Sequence, residues 1–152
     1  MADLTVTITE SITLNGKDQG GTYTKNMGAI TQTFKHLVTC TTDRNELFAA
    51  IGSGTDRGSF PEASVRYIRI TNLDSTNHVT LFFKNEDNDE FGVLVDKGQS
   101  FIYNGDLAGG VVNTFDANGA GAAASGSLGD LTNIYGQADS GSVLLEIFVA
   151  CA

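Results

Sequence analysis

The chain has 152 residues and a formal net charge of −9, from 9 basic and 18 acidic side chains, with 18 glycines, one proline and two cysteines. A chain of this length is most simply one domain with one core, and a hydrophobic fraction of 41% against 18% charged residues excludes a disordered polymer. The scattered Lys and Arg argue against nucleic-acid or anionic-membrane binding, both of which need basic clusters. Two cysteines are too few for a disulfide framework.

The opening Met1-Ala2-Asp3-Leu4-Thr5 enters a strand pattern at once, without the basic and apolar regions of a secretory signal. No apolar run approaches the ~18 residues of a membrane span. The expectation is a chain made and folded in a cytoplasm. Leu4 to Thr9 alternates apolar residues with Thr, and a period of two puts them on opposite faces of a strand. Ile12 and Leu14 resume the apolar row, and Asn15-Gly16 and Gln19-Gly20-Gly21 mark a turn. Tyr23 to Ile30 is ambiguous, because Lys25-Asn26-Met27-Gly28 breaks any pattern.

Ile30 to Thr42 reads as one strand whose row Ile30, Gln32, Phe34, His36, Val38 and Cys40 faces inward towards its C-terminal end. Cys40 is then a small buried hydrophobe. Glu46 to Ile51 is a short strand or a helical turn, and Gly52 to Ser59 is a loop closed by Phe60-Pro61. Val65 to Phe83 reads as a central hairpin. Ile68 and Ile70 alternate with Arg69, Val79, Leu81 and Phe83 repeat the spacing, and Asp74-Ser75-Thr76-Asn77 favours a reversal.

Asn85 to Glu90 is a second polar turn, followed by strands at Phe91–Val95 and Ser100–Tyr103. Residues 104–141 are Gly/Ala-rich and are expected to form a long loop, with apolar islands at Val111-Val112, Phe115 and Leu131-Ile134-Tyr135. Such a loop is ordered by a partner, covers one end of the fold, or is flexible. Val143 to Ala150 closes the chain as a strand largely buried on both faces, interrupted by Glu146. Seven or eight strands at hairpin-like spacings predict a single all-β domain over residues 1–152, an antiparallel two-sheet sandwich of jelly-roll type.

No catalytic signature emerges. Gly52 to Gly58 lacks the Lys-Ser/Thr ending of a phosphate loop. The turn at residues 85–90 carries carboxylates, but Phe91, Val95 and Gly98 occupy positions where a calcium loop needs oxygen ligands. His36 and His78 form no zinc pairing and read as one packed and one surface histidine. Arg66 and Arg69 fall on opposite faces of one strand and are expected to pair with acidic neighbours. No metal, cofactor or enzymatic activity is expected.

Three stretches carry a resemblance: Leu4 to Gly16, Tyr67 to Asp74, and Lys97-Gly98-Gln99-Ser100-Phe101. With them the chain resembles small virion structural proteins of tailed bacteriophages, particularly marine and cyanobacterial phages. The resemblance implies a β-sandwich that decorates or cements the capsid, with the major capsid protein as partner and a homo-oligomer, a trimer, as the expected state. The contact elements would be the N-terminal strand, through Leu4, Val6 and Ile8, and the long loop, through Val111, Val112 and Phe115. The alternative is a tail or fibre module that binds host glycans on exposed Phe60, Tyr103 or Tyr135.

Overall fold

The computed structural model describes residues 2–50, 59–61, 64–104 and 131–152. The strands in chain order are β1 (Ala2–Glu10), β2 (Thr13–Leu14), β3 (Lys17–Asp18), β4 (Gly21–Ile30), β5 (Gln32–Cys40), β6 (Asn45–Ala50) and β7 (Ser59–Phe60). They continue with β8 (Val65–Asn72), β9 (Val79–Asn85), β10 (Glu90–Val95), β11 (Ser100–Asn104), β12 (Leu131–Ala138) and β13 (Val143–Cys151). The fold is an all-β sandwich, as the alternation predicts, and Asn45–Ala50 is a strand rather than a helical turn.

Sheet I has the order β11-β8-β13-β5 and sheet II the order β10-β9-β12-β6, with the two-residue β7 added parallel to β6. All other pairings are antiparallel. From β5 to β13, leaving β7 aside, the chain changes sheet at every connection except β9 to β10. That winding is the jelly roll. Outside the two sheets stands a long hairpin, β1 with β4, tipped by β2 with β3.

The winding corrects the reading of Val65–Phe83. β8 pairs with β13 and β11, whereas β9 pairs with β12 and β10, so the two strands are not a hairpin. Their inner rows, Ile68 and Ile70 on one side and Val79, Leu81 and Phe83 on the other, join one core across the sandwich. The turn chemistry is nonetheless the expected kind. Asp74 Oδ1 accepts from the N–H of Thr76 and of Asn77, each at 2.7 Å. Those two donors hold the Asp74 carboxyl below its ordinary range.

The arch is anchored by Asn72, which is fully buried. Its Nδ2 donates to Asn77 O at 2.9 Å and to Val95 O at 3.3 Å, and its Oδ1 accepts from Asp74 N at 2.9 Å. Its backbone N donates to Gln99 O at 2.9 Å and its carbonyl accepts from Gly98 N at 3.1 Å. One buried asparagine, through its side chain and its backbone, therefore joins the crossover, the end of β10 and the turn into β11. A buried polar group is tolerable only when satisfied in this way.

Two further expectations are corrected. The strand expected from Ile30 to Thr42 is split at Thr31. Ile30 packs outside sheet I with Met27, whereas Phe34, Val38 and Cys40 face the sandwich core. The loop expected over 104–141 contains β12, which lies between β9 and β6 in sheet II. Its pattern is obscured by register shifts at Leu131/Asn133 and Ile134/Tyr135, the first of which places Leu131 and Ile134, three residues apart, both in the core.

Cys40 and Cys151 are free and buried. In the β5–β13 register Cys40 lies opposite Val143 and Cys151 opposite Gln32. Eight residues of strand separate the two ends, about 27 Å at ~3.4 Å per residue. Burial raises both thiols, Cys151 to about 11.

Gly136 of β12 sits where the two sheets press together. A Cβ there would lie 2.8 Å from Leu47 Cδ1 and 3.1 Å from Cys40 Sγ. Gly136→Ala is expected to destabilise the fold by roughly 1–3 kcal/mol through overpacking, measured by urea denaturation.

Candidate interaction surface

Residues 2–30 form an arm with two distinct faces. In the β1–β4 register Thr5, Thr7 and Thr9 lie opposite Asn26, Thr24 and Thr22. These side chains bond across the strands, Thr5 Oγ1 to Asn26 Oδ1 at 2.9 Å and Thr7 with Thr24 at 3.3 Å. On the other face Leu4, Val6 and Ile8 lie opposite Met27, Lys25 and Tyr23. At the tip Asn15 and Gly16 take φ of 52° and 74°. Two consecutive positive φ values close a tight two-residue hairpin loop, which Asn-Gly favours.

The base of the apolar face packs on the outer face of sheet I. Met27, Ile30, Tyr67 and Ala150 are buried in a small second core, with Leu4, Val6 and Phe148 against it. The Tyr67 and Phe148 rings meet edge-on at 5.9 Å. A bulge makes this possible. Between Ala2↔Ile30 and Leu4↔Met27 the register slips, and Ala29 takes a φ of 61°. Met27 and Ile30, three residues apart, thereby face the same way. This is the physical cause of the broken pattern at residues 25–28.

Beyond Val6 this face, and then the tip of the arm, meets solvent. Ile8 is 41% exposed, Ile12 54%, Leu14 58% and Tyr23 62%. A hollow of about 330 Å³ is lined by Ile8, Glu10, Gly21, Thr22 and Tyr23. Of the residues expected at an interface, Leu4 and Val6 are half-buried in the arm's own seam and Ile8 is exposed. Val111, Val112 and Phe115 lie outside the described residues. Sequence reasoning missed Tyr23, whose signal was its place opposite Ile8 in a hairpin around Asn15-Gly16.

The aromatic platform does not assemble from the three residues expected for it. Phe60 is buried, stacked on Phe48 at 5.1 Å. Tyr103 packs against the core from β11, and Tyr135 lies under the Arg44 guanidinium at 4.3 Å. Arg44 also covers Phe82 at 4.6 Å and grips Glu90 with two bonds, at 3.0 and 2.7 Å. The outer face of sheet I holds a second charged cluster. Glu146 accepts from Lys35 at 2.9 Å and from Arg69 at 2.5 Å, and these two cations hold its carboxyl below the ordinary range. Arg69 thus has the acidic neighbour expected of it.

Among the described residues no three His, Cys, Asp or Glu side chains lie together as a metal-binding group. The turn at residues 85–90 joins β9 to β10 as a true hairpin, and Asn85, buried, accepts from Asp89 N at 2.8 Å. His36 lies against the Phe34 ring at 4.6 Å, and His78 Nδ1 lies 3.3 Å from Asp139 at the surface. Compared with protein-family models, curated proteins and solved structures, the chain matches none of them.

Met27→Ala empties the seam without touching the sandwich core. Loss of a buried methionine costs ~2–5 kcal/mol, here charged to local opening of the arm. Limited proteolysis is expected to cut within residues 2–30 at least about tenfold faster than in the native chain, and to leave a resistant fragment beginning near β5.

Proposed function

We propose that the chain is a non-enzymatic virion structural protein that decorates and cements a phage capsid by bridging subunits of the major capsid protein. The observation that carries this reading is the arm. Its apolar face is anchored at the base on Tyr67, Phe148 and Ala150 and runs on, uncovered, to Ile8 and Tyr23, and Ile12 and Leu14 are exposed nearer the tip. Large apolar side chains left uncovered on an element outside the sandwich are suited to burial against another molecule. The resemblance of Leu4–Gly16, Tyr67–Asp74 and Lys97–Phe101 to phage virion proteins supports the same reading.

The mechanism is mechanical. The jelly roll supplies a rigid body, and the arm reaches a neighbouring subunit. Many copies acting together bind a shell far more firmly than one contact would, so each contact need only be modest. The protein is expected to act as a homo-oligomer, a trimer, on the capsid surface, after synthesis in the host cytoplasm.

The test is sedimentation of the purified protein with expanded and unexpanded shells of the phage that carries it. Saturable binding to expanded shells, at least about tenfold tighter than to unexpanded ones, is expected, because the sites exist only where subunits have been brought into their final arrangement. Equal affinity for both, or for neither, would contradict the reading.

A further inference from the structure

We infer that two copies of this chain join through their β1 strands, antiparallel about a two-fold axis at Val6, to make one four-stranded sheet from two arms. This concerns contacts between copies and stands apart from the capsid reading.

The arm is an incomplete sheet. β1 pairs only with β4, and its other edge has no partner strand among the described residues. A two-stranded hairpin is marginal by itself and gains stability with three or more strands and an apolar face. Exposed edges in natural proteins are blunted by lysines, prolines, bulges or shortness. The outer edge of β4 carries such devices, in Lys25 and the bulge with Ala29 at positive φ. β5 carries Lys35, and β11 has five residues. β1 carries neither charge, Pro nor Gly from Leu4 to Thr9.

The sequence of β1 fits itself. Antiparallel pairing about Val6 sets Leu4 opposite the partner's Ile8 and Thr5 opposite the partner's Thr7. Apolar residues stay on one face and threonines on the other. Asp3 falls opposite Thr9, so no two acids meet. A register shifted by one residue sets Asp3 against Glu10 and exchanges the faces. Parallel pairing in register sets Asp3 beside Asp3.

The axis at Val6 also widens the uncovered half of the face without covering it. With β1 opposite β4 as Ile8↔Tyr23 and Leu4↔Met27, the row across the joined sheet reads Tyr23, Ile8, then the Leu4 and Met27 of the second copy. Each exposed pair is extended by a pair that is already anchored on a sandwich. The contact is isologous and joins copies two at a time, so it would link one trimer to the next rather than build the trimer.

Cysteine pairing reads the geometry directly. Residues opposite each other in an antiparallel pair lie ~4.5–5.5 Å apart at Cα, within disulfide range. The two β4 strands would be separated by three strand spacings, about 14 Å. Thr5, Thr7 and Thr24 are all exposed, and the native cysteines are buried. Full-length Thr5→Cys and Thr7→Cys proteins, mixed and oxidised mildly, are expected to give a disulfide-linked dimer on a denaturing gel. Thr24→Cys alone is expected to give at least about tenfold less, the difference between reachable and unreachable sulfurs. Adding Ile8→Lys to both partners is expected to abolish the dimer while the melting temperature stays within a few degrees. No dimer from the mixture, an equal yield from Thr24→Cys, or a yield unaffected by Ile8→Lys overturns the inference.

Discussion

Sheet I is covered along its whole inner face and over one patch of its outer face, and the rest of the molecule follows from that. Its central strand β13 presents Val143, Leu145, Ile147 and Val149 to the sandwich core, all essentially inaccessible. Its other face presents Phe148 and Ala150, with Tyr67 beside them on β8. An antiparallel sheet with one apolar face needs one cover, but this one has a second apolar patch. The jelly roll supplies sheet II for the first. The arm supplies Met27, Ile30, Leu4 and Val6 for the second. The arm is therefore a third layer, held where the second patch is and released where the patch ends.

The same constraint explains the local irregularities. A regular β4 would turn Met27 and Ile30 to opposite faces. The bulge, with Ala29 held at a φ of 61°, turns both towards Tyr67 and Ala150. A residue with a Cβ in this region is strained by ~1–2 kcal/mol, and burial of two large apolar side chains, each worth ~1.5–3 kcal/mol, more than offsets it. Asn72 has an equivalent place inside the fold. Its five hydrogen bonds tie three chain segments at one end of the sandwich, where a crossover between sheets leaves backbone groups that no strand can pair.

Period-two alternation made most strands legible, because burial enforces it. The inner rows of β8, β9 and β13 follow from it directly. It could not assign neighbours, since Ile68 and Ile70 face a core equally well whether β9 lies beside β8 or across from it. It also failed wherever a bulge intervened, at Met27–Ile30 in β4 and at Leu131–Tyr135 in β12. β12 was hidden by composition too. Its inward Gly136 and Ala138 resemble loop residues, yet Gly136 is small because Leu47 and Cys40 fill the space a side chain would take. For the arm, the alternation in Leu4–Thr9 located the apolar face. That its base is covered by the protein's own Tyr67 and Phe148 depends on a packing between distant segments that no local pattern encodes.

The central claim is that the arm is anchored at its base and uncovered beyond it. Amide hydrogen exchange of the dilute protein, read residue by residue, tests this most directly. Slow exchange is expected through β13 and around Leu4, Lys25 and Met27, with exchange around Ile8, Tyr23 and the tip faster by at least about a hundredfold, the ratio that ~3 kcal/mol of seam burial sets. Uniform protection along residues 2–30, or uniform exposure that includes Met27, would contradict it.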